Sequence, residues 1–370
     1  MFRRIRVVGP AYLDRVLRVD RPLVDRSIGG PLDLSVEGDW SGPPIGQKLT
    51  LRDPAGAELD IQTPPGWPGG RAEIRLHRPM VPGASAFRRS VVGLFWQDDL
   101  GGMGAGFASA LGGVLISVLG PKGEPIGQKI ADHLAAEGID HCPVHLPDQV
   151  SDWTLLVTSG AFGDKLPIGF RGCHAALESF GEEVREPCDV LVVASMTNRL
   201  AASALEGSKA SAVRVFAPTL RNMLDRSPTL ESFAGSIDLL VCNRREWELL
   251  ENREAVAERL SILSVTDGPA GSWLRFRGAG NGFEELSMPG FPRFHPPIDT
   301  NRAGESYAST LLLSLLDAGW SAPDPIDPDL ARQAAWRASA AAALVLDRKD
   351  FGFPTLMEID AALQAGAVSR

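Results

Sequence analysis

A short polar segment at residues 299–305 combines groups that can hold an anion with groups that can move a proton. Its residues are Asp299, Thr300, Asn301, Arg302, Ala303, Gly304 and Glu305. The apolar run that follows, residues 307–316, predicts a buried helix. Either Thr300 or Asn301 can cap that helix. The first N–H groups of a helix have no partner within it, so this segment predicts an anion site.

The residues at the start of this helix suit phosphoryl transfer. Ala303 and Gly304 carry almost no side chain, so a ligand can approach the backbone closely, and Glu305 lies within reach of a hydroxyl proton. Together these are the groups needed to transfer a phosphoryl group to an alcohol. The same residues also fit a plain helix whose acidic first turn stabilises the helix dipole.

Two further segments predict a nucleotide site. Residues 262–276 read as a strand, a glycine-containing turn at 267–271 and a second strand, and a nucleotide can lie over that turn. Residues 237–242 predict another strand, and Asn243 and Glu246 follow it where a helix begins. Their oxygen atoms suit Mg²⁺ held through water.

The front of the chain supplies polar and glycine-rich segments. Residues 6–9 predict a short strand, and Asp14 follows it. The glycine cluster at 101–106 precedes a predicted helix at 107–111, so a polar ligand can meet main-chain groups there.

In this order the segments resemble the ribokinase-like (PfkB) family of carbohydrate and nucleoside kinases, and the resemblance spans nearly the whole chain. The matching segments are residues 7–9 with Asp14, 101–102 with 110–112, 117–124 with Gly127, 138–140, Asn243 with Glu246, 265–271, 299–304, and 351–355.

The resemblance implies a three-layer α/β/α domain with a mostly parallel central sheet and a small β lid. It implies transfer of the γ-phosphate of ATP to a primary hydroxyl of a sugar or nucleoside, with Mg²⁺. The implied sugar-binding residues are Asp14, Gly101, Gly102 and Gly106. The implied nucleotide and Mg²⁺–phosphate residues are Asn243, Glu246, Thr266, Gly268 and Gly271, with Glu246 reaching the metal through water. The implied catalytic residues are Arg302, Ala303, Gly304 and Glu305, with Glu305 as the base.

This chain departs from the family pattern inside the site. The usual catalytic aspartate is Glu305, the first glycine of that signature is Arg302, and a sugar-contacting asparagine is matched by Gly106. One added methylene moves the carboxylate by roughly an ångström, which can cost about a hundredfold in rate. Arg302 either adds roughly 10³ to 10⁵ in rate as a cation beside the phosphoryl group, or blocks the site by pairing with Glu305.

Rival interpretations explain less of the sequence. Predicted strands at 90–95 and 114–119 flank the glycine cluster as in a dinucleotide-binding βαβ unit, and Glu124 lies about twenty residues on, but the third glycine of the fingerprint is missing. His141 and His145 fall on one face of a predicted strand without a third metal ligand. The cysteines, which we expect to be reduced core residues, have no paired spacing; they are Cys142, Cys173, Cys188 and Cys242.

Composition is that of one enzyme-sized unit over residues 1–370, with 44% hydrophobic residues. A net charge of −9 argues against a nucleic-acid partner. The longest apolar runs, such as 114–119 and 311–316, are too short to span a bilayer, and the first ten residues lack a continuous apolar segment. We therefore expect a cytoplasmic protein without a membrane partner.

Residues 25–90 are rich in Gly and Pro and predict the β lid, with an enlarged insertion and with completing strands near 150–160. The predicted lid strands are 32–36, 48–51, 58–61, 72–76 and 152–158, with a hairpin turn at 53–56. Trp40 and Trp67 either fill a small β core or form a face for sugar stacking or for a homodimer.

The sequence thus predicts an ATP-dependent kinase acting on a hydroxyl of a small sugar or nucleoside. The alternative is a ribokinase-like protein that binds nucleotide or sugar without efficient phosphoryl transfer.

Overall fold

The computed structural model describes residues 3–19, 33–38, 48–52, 58–62, 72–77, 90–158, 165–170, 172–208, 213–280, 282–293, 295, 297, 301–348 and 350–368. The strands are β1 (Ile5–Val8), β2 (Tyr12–Val19), β3 (Asp33–Gly38), β4 (Lys48–Arg52), β5 (Glu58–Gln62), β6 (Ala72–His77), β7 (Ser90–Gly101), β8 (Val114–Leu119), β9 (His141–His145), β10 (Trp153–Thr158), β11 (Lys165–Phe170), β12 (Val190–Ala194), β13 (Val213–Ala217), β14 (Leu239–Asn243), β15 (Ile262–Thr266), β16 (Ser272–Arg277) and β17 (Phe283–Met288). The helices are α1 (Met103–Leu111), α2 (Pro125–Ala136), α3 (Cys173–Ala176), α4 (Asn198–Gly207), α5 (Leu220–Leu224), α6 (Leu230–Phe233), α7 (Arg244–Leu249), α8 (Arg253–Ala257), α9 (Ala303–Asp317), α10 (Pro328–Val345) and α11 (Leu356–Val368).

The central sheet of the described chain has nine strands in the order β17-β16-β15-β14-β13-β12-β1-β8-β9. The seven strands β15, β14, β13, β12, β1, β8 and β9 pair in parallel, and β16 and β17 add an antiparallel edge. Such strands are buried on both faces, which is why β12 is an unbroken apolar run. The sheet is mostly parallel, as predicted.

Two apolar layers cover the two faces of this sheet. Val192 belongs to one core cluster together with residues of α1, α9 and α10, whereas its neighbour Val193 belongs to a second cluster with residues of α4 and α6. Successive side chains of a strand point to opposite faces, so each strand contributes to both layers. The result is the predicted three-layer α/β/α arrangement.

A second sheet runs in the order β3-β6-β11-β10-β2-β7-β5-β4 within the described residues. Its strands β3 to β6 and β10 lie at the positions predicted from alternating apolar residues. The predicted turn at 53–56 and the residues Trp40 and Trp67 lie outside the described residues. The rival interpretation of a βαβ unit around the glycine cluster is excluded, because β7 belongs to the second sheet, antiparallel to β2, and β8 belongs to the central sheet.

Helix α1 begins earlier than predicted and contains part of the glycine cluster. It starts at Met103 rather than at 107, and the N–H of Gly106 donates to the carbonyl of Gly102 at 3.1 Å. A Cβ at Gly104 would lie 2.4 Å from the carbonyl carbon of Gly9, so glycine allows α1 to sit directly on the end of β1. This contact brings the start of α1 to the carboxyl end of β1, within the central sheet.

Candidate active site

The start of α9 presents an open helix terminus. The carbonyl of Arg302 accepts the first helical hydrogen bond, from the N–H of Ser306 at 2.9 Å. A Cβ at Gly304 would have no neighbour within 4 Å, so the first turn faces open space. The N-cap position belongs to Arg302, not to Thr300 or Asn301, and Asp299 and Thr300 lie outside the described residues. The geometry fits an anion bound to the first N–H groups.

Arg302 adopts a left-handed backbone conformation, with φ of 68°. This conformation costs a residue with a Cβ roughly 1–2 kcal/mol. Its guanidinium donates a hydrogen bond to the carbonyl of Asp350 and lies 5.7 Å from the ring centroid of Phe351. The cation is therefore held at the rim of the helix terminus by the segment that precedes α11.

Glu305 is half-buried in the first turn of α9 and lies against α1. A Cβ added at Gly106 would be 3.3 Å from Glu305 Cγ, so the stem of the glutamate crosses the bare backbone of α1. Burial raises the pKa of the Glu305 carboxyl, and its own backbone N–H and the charge of Arg302 oppose that rise. A carboxylate with a raised pKa is a better proton acceptor than an exposed one.

Tyr307 fixes the start of α9 to the central sheet. Its hydroxyl donates to Ser272 Oγ at 2.9 Å and accepts from Ser264 Oγ at 3.2 Å. Ser272 directly follows Gly271, so this helix start lies beside the predicted nucleotide turn. The sequence analysis assigned no role to this tyrosine, although a hydroxyl within an apolar run signals a buried polar partner.

Asn243 and Glu246 form a reciprocal capping box at the junction of β14 and α7. Asn243 Oδ1 accepts from the N–H of Glu246 and Glu246 Oε2 accepts from the N–H of Asn243, both at 2.9 Å. Burial raises the pKa of Glu246, and the hydrogen bonds to Asn243 counteract it. Both side chains thus stabilise a helix start, whatever else they contact.

The nucleotide turn lies next to this junction. Asn243 pairs in register with Thr266, at the carboxyl ends of the parallel strands β14 and β15. Gly268 and Gly271 form the turn after β15 and both have positive φ, 53° and 103°. The carboxyl end of a parallel sheet is the usual ligand side of an α/β fold.

Asp14 lies in the second sheet, over the glycine pair. It is the third residue of β2, where it pairs with Asp99 of β7 and Thr154 of β10. A Cβ at Gly101 would lie 2.1 Å from Asp14 Oδ2, so only glycine leaves room for this carboxylate. Gly102 follows as the N-cap of α1. The structure therefore joins Asp14 to Gly101, and Gly106 to Glu305, at the two ends of one short segment.

Other candidate residues serve local structure. Glu124 caps α2 by accepting from the N–H groups of Ile126 and Gly127, at 3.0 and 2.7 Å. His141 bonds Ser117 at 2.8 Å, and burial, with the nearby His145, lowers the pKa of His141 to about 4.

The expectation that all four cysteines are core residues is wrong at Cys142, which is exposed. Cys173, Cys188 and Cys242 are buried. Cys173 lies in a buried cluster with His174 and Asp152. The Asp152 carboxylate is 3.0 Å from His174 Nδ1 and accepts a hydrogen bond from the N–H of Gly172 at 2.8 Å. Asp152 thereby joins the start of β10 to the start of α3. No described helix is both long and apolar enough to cross a bilayer.

Comparison with known proteins agrees with this architecture. Residues 96–356 match the model of the pfkB family of carbohydrate kinases. No curated protein sequence is significantly similar to this chain. The chain therefore belongs to the pfkB family of carbohydrate kinases.

Solved structures with the same fold include three kinases. A nucleoside kinase from Methanocaldococcus jannaschii superposes with a TM-score of 0.66 at 15% identity, covering 98% of this chain and 99% of that one. A fructokinase with bound ATP from Xylella fastidiosa gives 0.64 at 17% identity, covering 99% and 100%. An Arabidopsis thaliana ribokinase complexed with ribose and ATP gives 0.62 at 16%, covering 98% and 99%. At these identities the likeness establishes the ribokinase-like α/β fold.

Proposed function

We propose that this protein transfers the γ-phosphoryl group of ATP to a hydroxyl of a small sugar or nucleoside. The observation that carries the proposal is Glu305, a half-buried carboxylate in the first turn of a helix whose terminus is open at Gly304. A proton acceptor and a set of N–H donors then meet at one point. Membership of the carbohydrate kinase family supports the same reaction.

Side chains and backbone N–H groups of this chain bind the acceptor, take its proton and stabilise the transferred phosphoryl group. Asp14 accepts hydrogen bonds from hydroxyl groups of the sugar or nucleoside beside Gly101, and these bonds orient the reacting hydroxyl. Glu305 takes the hydroxyl proton while the acceptor oxygen forms a bond to the γ-phosphorus and the bond from that phosphorus to the ADP oxygen breaks. The N–H groups of Ala303 and Gly304 stabilise the charge that develops on the phosphoryl oxygens.

The donor nucleotide lies, in this proposal, over the turn formed by Thr266, Gly268 and Gly271. Mg²⁺ neutralises phosphate charge when it is bound. Oxygen donors suit this metal, and Asn243 and Glu246 provide them at the adjacent strand end, with contact through water because both side chains also cap α7.

The second sheet is the proposed lid over the acceptor. Asp14 belongs to it through β2, which pairs in parallel with β10, and β11 pairs with β6; these pairings support a lid made of residues 25–90 and the strands near 150–160. We propose the same sheet as the face for a homodimer.

A negative charge introduced at Gly304 tests the anion site. Gly304→Glu places a carboxylate at the open terminus, where no atom lies within 4 Å of the new Cβ and where an acidic residue stabilises the helix. We expect Mg²⁺–ADP affinity, measured by calorimetry, to fall at least about tenfold, since phosphate and carboxylate repel at close range. Gly235→Glu is the control, because Gly235 is also exposed with no atom within 4 Å. Unchanged ADP affinity in Gly304→Glu would show that nucleotide phosphates bind elsewhere.

A further inference from the structure

Gly106 contacts the side chain that the proposed reaction depends on. It is buried in α1, and α1 packs against α9. A Cβ at this position would lie 3.3 Å from Glu305 Cγ, 3.6 Å from Glu305 Cβ and 3.4 Å from Phe353 Cζ. The distance of 3.3 Å to Glu305 Cγ is tighter than an ordinary carbon–carbon contact, so this neighbour would have to shift by a few tenths of an ångström, whereas 3.4 Å to Phe353 is at the lower limit of ordinary contact.

The two neighbours differ in how freely they can move. Phe353 packs edge-on against Phe351, with ring centroids 6.0 Å apart, and Phe351 in turn carries the guanidinium of Arg302. The ring of Phe353 is therefore supported from behind. Glu305 is an unbranched side chain with three torsions in the first turn of α9. An added methyl group would displace the glutamate rather than the aromatic ring.

We infer that Gly106 is a positioning residue for the Glu305 carboxylate. The bare backbone at Gly106 forms one wall of a narrow slot, and the edge of the Phe353 ring forms another. The stem of Glu305 runs through this slot, and its direction fixes where the carboxylate ends. The catalytic consequence rests on the proposed function, whereas the packing relationship does not.

A stability cycle tests the packing relationship without any assay of activity. Gly→Ala within a helix is intrinsically stabilising, here by about 1–2 °C in melting temperature. We expect Gly106→Ala to give that rise in the Glu305→Ala background, where Cγ is absent, and to give no rise or a fall in the wild type. Gly207→Ala in α4 is the control, since no atom lies within 4 Å of its new Cβ. Equal shifts at Gly106 in both backgrounds would overturn the inference.

Folding of the variants gives a second readout of the same contact. If Gly106→Ala fails to fold, recovery of the folded protein in the double variant Gly106→Ala with Glu305→Ala supports the inference. Failure of both variants would place the clash at Phe353 and overturn it.

Kinetics test the catalytic consequence. We expect Gly106→Ala to lower kcat several-fold, roughly three- to tenfold, because the Glu305 stem must shift by a few tenths of an ångström and a full ångström can cost about a hundredfold. KM for ATP should stay unchanged, and the acid-side midpoint of the pH–kcat profile should move because the environment of Glu305 changes. Gly207→Ala should leave all three values unchanged. An unaltered kcat and midpoint in Gly106→Ala would contradict the positioning role, while an inactive wild type would refute the proposed function and leave the packing claim to the stability cycle.

Discussion

The guanidinium of Arg302 lies 5.7 Å from the ring centroid of Phe351 and donates a hydrogen bond to the carbonyl of Asp350. These contacts join the first residue before α9 to the segment before α11. The same segment contributes Phe353, whose Cζ would lie 3.4 Å from a Cβ at Gly106, on the side of α1 that also meets Glu305. We expect Arg302 to support the aromatic pair Phe351 and Phe353 beside Gly106, a role that its sequence position does not suggest.

Arg302→Gly should separate this role from direct catalysis. The change relieves a left-handed conformation but removes the contacts to Asp350 and Phe351, so we expect little net gain in thermal stability and a turnover lowered about tenfold through a loosened Phe353. Ser195→Gly is the control, since Ser195 also has positive φ, 52°. It should be stabilised by the order of 1 kcal/mol without loss of turnover. A rise in turnover in Arg302→Gly would instead show that the arginine blocks the anion site.

Glu305→Gln should change stability in a pH-dependent way. Burial raises the pKa of Glu305 above its ordinary 4.5, so the carboxyl favours the folded state while protonated and loses that contribution as pH rises through the raised pKa. Glutamine keeps the shape and never ionises. The melting temperature of Glu305→Gln should therefore exceed that of the wild type by more at pH 8 than at pH 4.5, as scanning calorimetry can measure. A difference that shrinks with rising pH would contradict the assigned burial.

Asp14→Ala should weaken acceptor binding and spare the nucleotide. Hydrogen bonds to a charged group are worth roughly 1.5–3 kcal/mol, so we expect the acceptor Kd to rise about tenfold or more with ADP affinity nearly unchanged. Asp99→Ala, directly across the strand pair, is the control, because Asp99 accepts from Gln97 Nε2 at 2.8 Å. Equal loss of acceptor binding in both variants would assign the effect to the charge of the sheet rather than to Asp14.

Tyr307→Phe should loosen the connection between α9 and the nucleotide turn. The change removes two buried hydrogen bonds and should lower the free energy of unfolding by about 1–3 kcal/mol in chemical denaturation. Combined with Ser272→Ala it forms a double-mutant cycle. If the two losses simply add, the hydroxyls are not coupled and the connection lies elsewhere.

The sequence predicted most of the scaffold because its strands carry strong local patterns. Strand β8 begins and ends where its predicted run at 114–119 does, and β3 to β6 follow from alternation. The predicted start of α1 was four residues too late. Gly104 and Gly106 lower helix propensity there, and the close packing of Gly104 on Gly9 is a tertiary contact that no local pattern shows. Sheet membership of β7 also has no local signal.

The chemical groups of the site were predictable, but their contacts were not. Glu305, Asp14 and the nucleotide turn stand out by residue type and order. The proximity of Phe353 to Gly106 joins positions far apart in the chain. No local pattern encodes it, nor the left-handed backbone of Arg302.

Phosphoryl transfer itself is the central claim, and its direct test is acceptor-dependent formation of ADP and a phosphorylated product from ATP and Mg²⁺ across a panel of sugars and nucleosides. We expect the wild type to phosphorylate at least one acceptor and Glu305→Gln to bind ADP normally but transfer nothing, because the amide cannot accept the proton. The variant Arg302→Gly with Glu305→Asp, which restores the family pattern, is assayed beside it for comparison. A wild type inactive on every acceptor, beside an active double variant, would contradict the account and establish a protein that binds its ligands without transfer.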